Sequence, residues 1–295
     1  MNLTQVKGNT WVLEGWELIP FYKVDESRCI LLDTGLVSER EDLEQSLLAA
    51  GLTPIGILGS HVHTDHSINH SYFRNKYHLP VALPVGEAGL CATMLNLKAY
   101  LFMLSSATAR AEVSDMVCPT DLYLDTKDGP VEFCGEVFHI IHTPGHSPDH
   151  IAIVTPDGVC YVGDAILSGD ELKAKLPYAF DHCTAALSRE KLRGLSYDKY
   201  IVAHRGIYDD LGDVIDQNNE LIDRKMNDVL ECIGEDMTMD QIQAAVCTRL
   251  SIRAKQPPRA ALMERNVRCY VEALLDQGRL TLSARDGVRC YRRNM

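Results

Sequence analysis

The side chains whose types and spacing suit chemistry gather first at LGSHVHTDHSIN, residues 58–69. His61, His63, Asp65 and His66 stand there in the spacing HxHxDH. Imidazoles and a carboxylate converging on one place suit a divalent transition metal, zinc above all. The apolar run Ile55 to Leu58 leads in as the end of a buried strand, and residues 67–78 read as a helix. His61 and His63, two apart on an extended backbone, can point the same way. Asp65 and His66 fall where the chain turns and can face a second point nearby. A histidine-rich surface loop is the plain alternative. A lone histidine would favour it; three histidines and an aspartate within six residues, behind a buried strand, do not.

The elements that must position these groups alternate between strand and helix. TWVLEGWELIPFYKV and CILLDTG read as strands within residues 10–33, the second ending in the turn Asp33-Thr34-Gly35. Residues 38–50 form an amphipathic helix through Leu43, Leu47 and Leu48, closed by Gly51. A short strand at 80–84 follows the histidine loop and its helix. This succession predicts layers of sheet and helix. Residues 86–117 carry Leu90, Met94, Leu97, Leu101 and Leu104 at helical spacing. They read as an insertion of about two helices that packs on the body, forms a dimer face or covers the site. From Val131 the strands return. Three of them end in metal-competent residues: His146 in TPGHSPDH, Asp164 in VGDA and His204 in AHRG. With the first motif they make a set of seven ligands, because strand ends in a layered fold collect at one edge.

Composition narrows the classes. The chain has 295 residues, 46 % of them apolar, enough for one large domain or one domain and a smaller one. No apolar run reaches membrane-span length. The N-terminus has neither the basic start nor the apolar core of a signal peptide, so a cytoplasmic location is expected. The ten cysteines form no CxxC and read as reduced thiols, not a disulfide framework or a zinc ribbon. The net charge of −12 disfavours general nucleic-acid binding. The tail departs from this, with eleven Lys/Arg against four acids from Arg249 to Arg293. Residues 211–233 read as a helix leaving the body, 238–250 as a short helix, Pro257-Pro258 as a loop, 261–278 as a longer helix, and 279–292 as a two-stranded wing.

The motifs SHVHTDH, TPGHSPDH, VGDA and AHRG, with LLDTG before them, resemble the metallo-β-lactamase-fold hydrolases over about residues 10–208. The resemblance implies an α/β architecture, an αββα sandwich; with the helical insertion at about 86–117 it occupies residues 1–210, and the residues after it read as a helical linker and a winged-helix-like domain over 211–295. It implies two divalent cations, most simply zinc, with iron or manganese as alternatives. His61, His63 and His146 would hold the first, Asp65, His66 and His204 the second, and Asp164 would bridge. Water shared by two such cations has a pKa near or below about 7, so hydroxide is available to attack an electrophilic carbon or phosphorus. Asp65 is the candidate to orient that water and accept its proton. Asp33 is expected to brace the metal loop by hydrogen bonds. By analogy with lactone- and ester-cleaving relatives, Tyr178 is the candidate to assist the leaving group, with His182 second. Two places depart from the family's pattern. His150, in PDH, is a core or surface residue, supports the metal ligands from behind or faces the substrate, and Arg205, in AHRG, forms a salt bridge or meets an anionic substrate. His70, His78, His139 and His142 are left as structural.

The leading expectation is a dinuclear metal hydrolase acting on a small ester, thioester or lactone, with a homodimer possible and no membrane partner. The alternatives are an endoribonuclease or phosphodiesterase with RNA on the basic tail, a mononuclear iron oxygenase, and a ligand-sensing regulator that uses the winged-helix-like tail.

Overall fold

The structure is a computed structural model and describes residues 1–294. Seven strands form the first sheet: β1 (Asn2–Lys7), β2 (Thr10–Glu14), β3 (Leu18–Lys23), β4 (Arg28–Leu31), β5 (Thr53–Leu58), β6 (Val81–Pro84) and β7 (Leu122–Leu124), neighbours in that order. β1 to β4 are antiparallel and β4 to β7 parallel. Parallel neighbours need crossovers, and helices supply them: Arg40–Ala49 between β4 and β5, and His70–Tyr77 between β5 and β6. Six strands form the second sheet: β8 (Gly129–Phe133), β9 (Glu136–His142), β10 (Ile151–Val154), β11 (Val159–Tyr161), β12 (Lys199–Val202) and β13 (Gly206–Tyr208), in the order β13-β12-β11-β10-β9-β8. Only β11 and β12 run parallel, with His182–Arg193 crossing between them.

The two sheets pack face to face and helices cover both outer faces. The run CILL in 29–32 shows why a buried strand reads as continuously apolar. Ile30 and Leu32 point between the sheets toward Phe138, Ile153 and Tyr161, while Cys29 and Leu31 point outward beneath Leu43, Leu47 and Phe73. The second sheet's outer face meets Leu192, Val214 and Ile215. This is the αββα sandwich expected from the sequence.

Local departures have local causes. The helix expected over 67–78 starts inside the motif as Thr64–Ser67 and resumes at His70–Tyr77. Between them Asn69 Nδ2 donates to the carbonyls of Thr34, Gly35 and Leu36, which interrupts the helix and ties it to the turn after β4. The insertion is three helices, Val85–Cys91, Met94–Tyr100 and Ser106–Val113. Thr93 and Ser105 cap the last two by accepting from Asn96 and Thr108 N–H. Pro257 and Pro258 are the first turn of the helix Pro257–Asp276, not a loop, because proline's missing N–H costs nothing there.

The tail is joined to the body over a broad front. The helix Gly212–Glu231 packs Val214 and Ile215 on the second sheet, and its later residues Ile222, Met226 and Val229 into the tail's own core with Ile242, Val246, Val267 and Leu274. It is one shared helix and not a free linker. The wing expected at 279–292 is the hairpin of β14 (Leu280–Arg285) and β15 (Val288–Arg293), turned by Asp286 and Gly287, both at positive φ. Asn266 Nδ2 donates to Leu176 O and Tyr270 Oη to Pro177 O, each at 2.9 Å, so the tail fixes the segment that carries Tyr178. Among the described residues no helix is long and apolar enough to cross a membrane, and the cysteines are unpaired.

Candidate metal centre

The loops after β5, β9, β11 and β12 meet at one edge of the sandwich and bring all seven expected ligands together. His61 Nε2 lies 3.1 Å from His63 Nδ1, which lies 2.9 Å from His146 Nε2. Asp164 Oδ2 is 3.3 Å from His146 Nε2 and 3.4 Å from both His66 Nε2 and His204 Nε2, so one oxygen faces both groups. His204 Nε2 stands 3.7 Å from Asp65 Oδ2. Metal–ligand bonds of about 2.0–2.2 Å put neighbouring donors roughly 2.9–3.6 Å apart, a range that takes in each of these distances except the 3.7 Å between His204 and Asp65. Three sets of donor atoms each fall within 4.8 Å of one another: His61, His63, His146 and Asp164; Glu17, Asp65, His66 and His204; and, behind them, Asp33 with His61 and His66.

The donors fit a cation by more than spacing. His66 Nε2, Asp164 Oδ1 and both carboxylate oxygens of Glu17 are buried without a hydrogen-bond partner. Such groups are expensive to bury bare. Burial, then the neighbouring imidazoles, push His61 well below its ordinary range; burial and the His146 ring do the same to His63. Burial takes His146 to about 4. These rings are neutral at pH 7, the form that ligates. The second group is carboxylate-rich. Burial opposes charge on His66, but Glu17, Asp164 and Asp65 outweigh it and raise the ring well above its ordinary range.

A buried layer behind the ligands fixes their direction. Asp33, at φ 67°, is fully enclosed. Its Oδ2 receives His66 Nδ1 at 3.0 Å, Tyr161 Oη at 2.8 Å and the Ser60 hydroxyl, and its Oδ1 takes Ser60 N–H at 2.8 Å. Ser60 Oγ in turn meets His61 Nδ1 at 2.9 Å. Asp33 thus turns one histidine of each group so that Nε2 faces the cluster. Burial alone would raise its carboxyl; these hydrogen bonds and the His66 charge hold it below the usual range. His150 lies behind Asp164, with Nδ1 2.9 Å from Thr143 Oγ1 and Nε2 accepting the Asp164 N–H at 3.2 Å. In TPGH, Gly145 has φ 121°, and a Cβ there would lie 2.2 Å from Ala185 N. Only glycine lets the helix His182–Arg193 come that close.

The cluster floors a cavity of about 470 Å³. Its apolar lining includes Leu97, Leu101, Leu104, Val113 and Met116 from the insertion, with Leu262 from the tail. Tyr178 lies in this cavity, its hydroxyl 3.2 Å from that of Tyr100, which is 3.0 Å from His63 Nε2. The Arg265 guanidinium stacks 4.1 Å over the Tyr178 ring. His182 is elsewhere: it is buried, with its ring 4.0 Å from that of Tyr270, between the body and the tail. Arg205 is exposed outside the main cavity, and its Nη2 donates to Gly15 O at 3.3 Å.

Four residues escaped sequence reasoning. Glu17 belongs to the second group, and Tyr100 and Arg265 reach the cavity. Buried Glu87 accepts from Val62 N–H on one metal loop and from Ser147 Oγ and Asp149 N–H on another, clamping them together. None lies in a motif. A carboxylate inside the apolar stretch WELIPFY was the one available signal, for Glu17.

Comparison with known proteins bears on the same residues. The family model described as the metallo-beta-lactamase superfamily matches residues 4–204, from β1 through the last ligand. The chain belongs to the metallo-β-lactamase superfamily. Within it, a probable metallo-hydrolase of Bacillus subtilis (strain 168), YqgX, is 30 % identical over 155 residues, which are 52 % of this chain and 64 % of that protein. Less than two thirds of that relative's length is therefore matched. A metallo-beta-lactamase family protein of Thermus thermophilus superposes with a TM-score of 0.70 at 20 % identity, over 94 % of each chain. A beta-lactamase domain protein of Burkholderia ambifaria gives 0.73 at 18 % identity, over 99 % of this chain and 94 % of its own. These two likenesses speak for the fold alone. They also extend past His204, so the fold of the tail outside the family model has a counterpart in both structures.

Proposed function

We propose that this chain is a metal-dependent hydrolase that uses two divalent cations to cleave a small ester, thioester or lactone with an apolar acyl part. The observation that carries this reading is the cavity itself. Its lining combines a converging set of imidazoles and carboxylates with a group of Leu, Val and Met side chains. Cations held there would supply hydroxide at neutral pH and would offset the charge that develops on the scissile carbonyl. Zinc suits the imidazole-rich group best.

The chain's own groups then have distinct tasks. Asp65 lines the cavity and is the carboxylate best placed to orient a water and take its proton. Burial raises the phenols of Tyr178 and Tyr100 above their ordinary range, so both stay protonated at neutral pH and can donate to a carbonyl or leaving oxygen. Arg265 puts a fixed positive charge beside Tyr178, where a polar or anionic end of the substrate would lie. The insertion walls the acyl end, which makes it the element that selects the substrate.

Nucleic acid is a weaker fit. Three of the tail's eleven basic residues are paired with carboxylates of the chain: Arg249 with Asp228 and Glu231, Arg268 with Glu264, Arg292 with Asp236. The test is a panel of lactones, oxygen esters and thioesters of increasing acyl length, with an RNA oligonucleotide alongside. Each methylene buried on the apolar wall contributes about 0.8 kcal/mol, so kcat/KM should rise up to about fourfold per carbon before levelling off. A flat or falling profile, or cleavage of the RNA alone, would overturn the reading.

A further inference from the structure

Glu17 is the residue that the superfamily motifs leave unexplained. It sits in the hairpin turn between β2 and β3, the segment Gly15-Trp16-Glu17, more than forty residues before the first histidine. Its side chain is fully buried, and neither carboxylate oxygen has a hydrogen-bond partner. Oε2 approaches His66 Nε2 to 3.1 Å, yet the two lack the alignment of an N–H···O bond, and both remain unpartnered. Two metal-competent donor atoms this close that do not bond each other are spaced as neighbouring ligands of one cation would be, about 2.9–3.6 Å apart.

The turn is held where it is. Leu18 N–H donates to Ala203 O at 2.6 Å, which joins the start of β3 to the strand end that presents His204. Arg205, directly after His204, reaches back to Gly15 O. The Trp16 N–H is bound by the Glu39 carboxylate. The chain therefore anchors the Glu17 turn to a metal-ligating loop from both sides.

We propose that Glu17 is a protein ligand of the second cation, and that it makes this position oxygen-rich and favourable to manganese(II) or iron(II) beside a zinc-favouring first position. The proposal rests on the two-cation reading. The first group offers three imidazole nitrogens and a share of Asp164. The second offers two imidazoles, a share of Asp164, and the carboxylates of Asp65 and Glu17, five protein donors of which three are oxygen. Zinc with protein ligands prefers four donors and accepts nitrogen readily, whereas carboxylate oxygen suits the harder cations. Glu17 thus narrows zinc's ordinary advantage at the second position.

The experiment uses the full chain, stripped with a chelator and loaded with zinc or manganese separately and in competition. Bound metal is counted by elemental analysis and Mn²⁺ by electron paramagnetic resonance, so no activity is needed. The wild type should bind two equivalents, with the zinc-over-manganese ratio at least tenfold lower for the second than for the first. Glu17→Gln should keep the first equivalent and weaken Mn²⁺ at the second about tenfold or more. Unchanged second-site affinity and metal ratio in Glu17→Gln would overturn the assignment while leaving two cations in place. A wild type that binds one equivalent would overturn both. Should Glu17→Gln not fold, the wild-type competition decides: equal zinc preference at both positions would refute the proposal.

Discussion

Replacing Asp164 by asparagine should reduce kcat/KM for the best acyl substrate by about a thousandfold and cost the protein one equivalent of metal. Asp164 Oδ2 lies within 3.4 Å of ring nitrogens from both donor groups, those of His146, His66 and His204. Asparagine keeps the volume and removes the charge that faces both donor groups. A cation that stabilises a developing oxyanion contributes several kcal/mol, and about 4 kcal/mol corresponds to a thousandfold. Asp164 is also held from behind, where its backbone N–H donates to His150, so the substitution should leave the fold intact. Elemental analysis and steady-state kinetics on the same preparation check both parts. Two retained equivalents with activity within tenfold of the wild type would show that Asp164 does not join the two groups.

The second large effect is at Asp33, and it appears in stability as well as in metal binding. Alanine there strands four buried donors: Ser60 N–H, the Ser60 and Tyr161 hydroxyls, and His66 Nδ1. Each buried group left without a partner costs about 1–3 kcal/mol, and partial relaxation leaves a net loss of roughly 4 kcal/mol. For a chain of this size that is a fall of about 10 °C in the melting temperature. Metal affinity should fall about 10- to 100-fold, as when other groups that orient ligating histidines are removed. The milder substitution Asp33→Asn keeps the shape and half the acceptor capacity, and its effects should lie between those of the wild type and Asp33→Ala. Calorimetry of the metal-free chain separates the two effects, because stability is then read without cation binding. A shift below about 2 °C for Asp33→Ala in that state would mean that the Asp33 network is dispensable.

The contrast between what the sequence disclosed and what it hid has a physical basis. His61, His63, Asp65 and His66 were legible because their spacing on a strand-to-helix turn fixes their relative directions locally. His146, Asp164 and His204 were legible because each ends an apolar strand, and the strands of a sandwich end together. Asp33 followed from its place before the turn at Gly35. Glu17, Tyr100 and Arg265 were not legible, because their role depends on where a hairpin turn, an inserted helix and a C-terminal helix pack in three dimensions. Arg265 counted only as one more positive charge in a basic tail; the structure puts it over Tyr178, inside the cavity. The tail read as a separate appendage because its own helices have apolar faces. It is joined to the body by the helix Gly212–Glu231 and by Tyr270, which meets His182 and bonds Pro177 O. That contact also explains His182, whose position between Asp164 and His204 suggested the site but whose ring serves the junction. The edge strand β1 was missed because NLTQVK is polar along most of its length, and β13 because it has only three residues.

The most direct test of a two-cation acyl hydrolase is a metal titration followed by turnover. The chain is stripped with a chelator, and hydrolysis of the best acyl substrate is measured as zinc is added. No hydrolysis is expected without metal, with the rate rising to a plateau at two equivalents per chain. Full activity at one equivalent, or activity indifferent to stripping, would contradict the account.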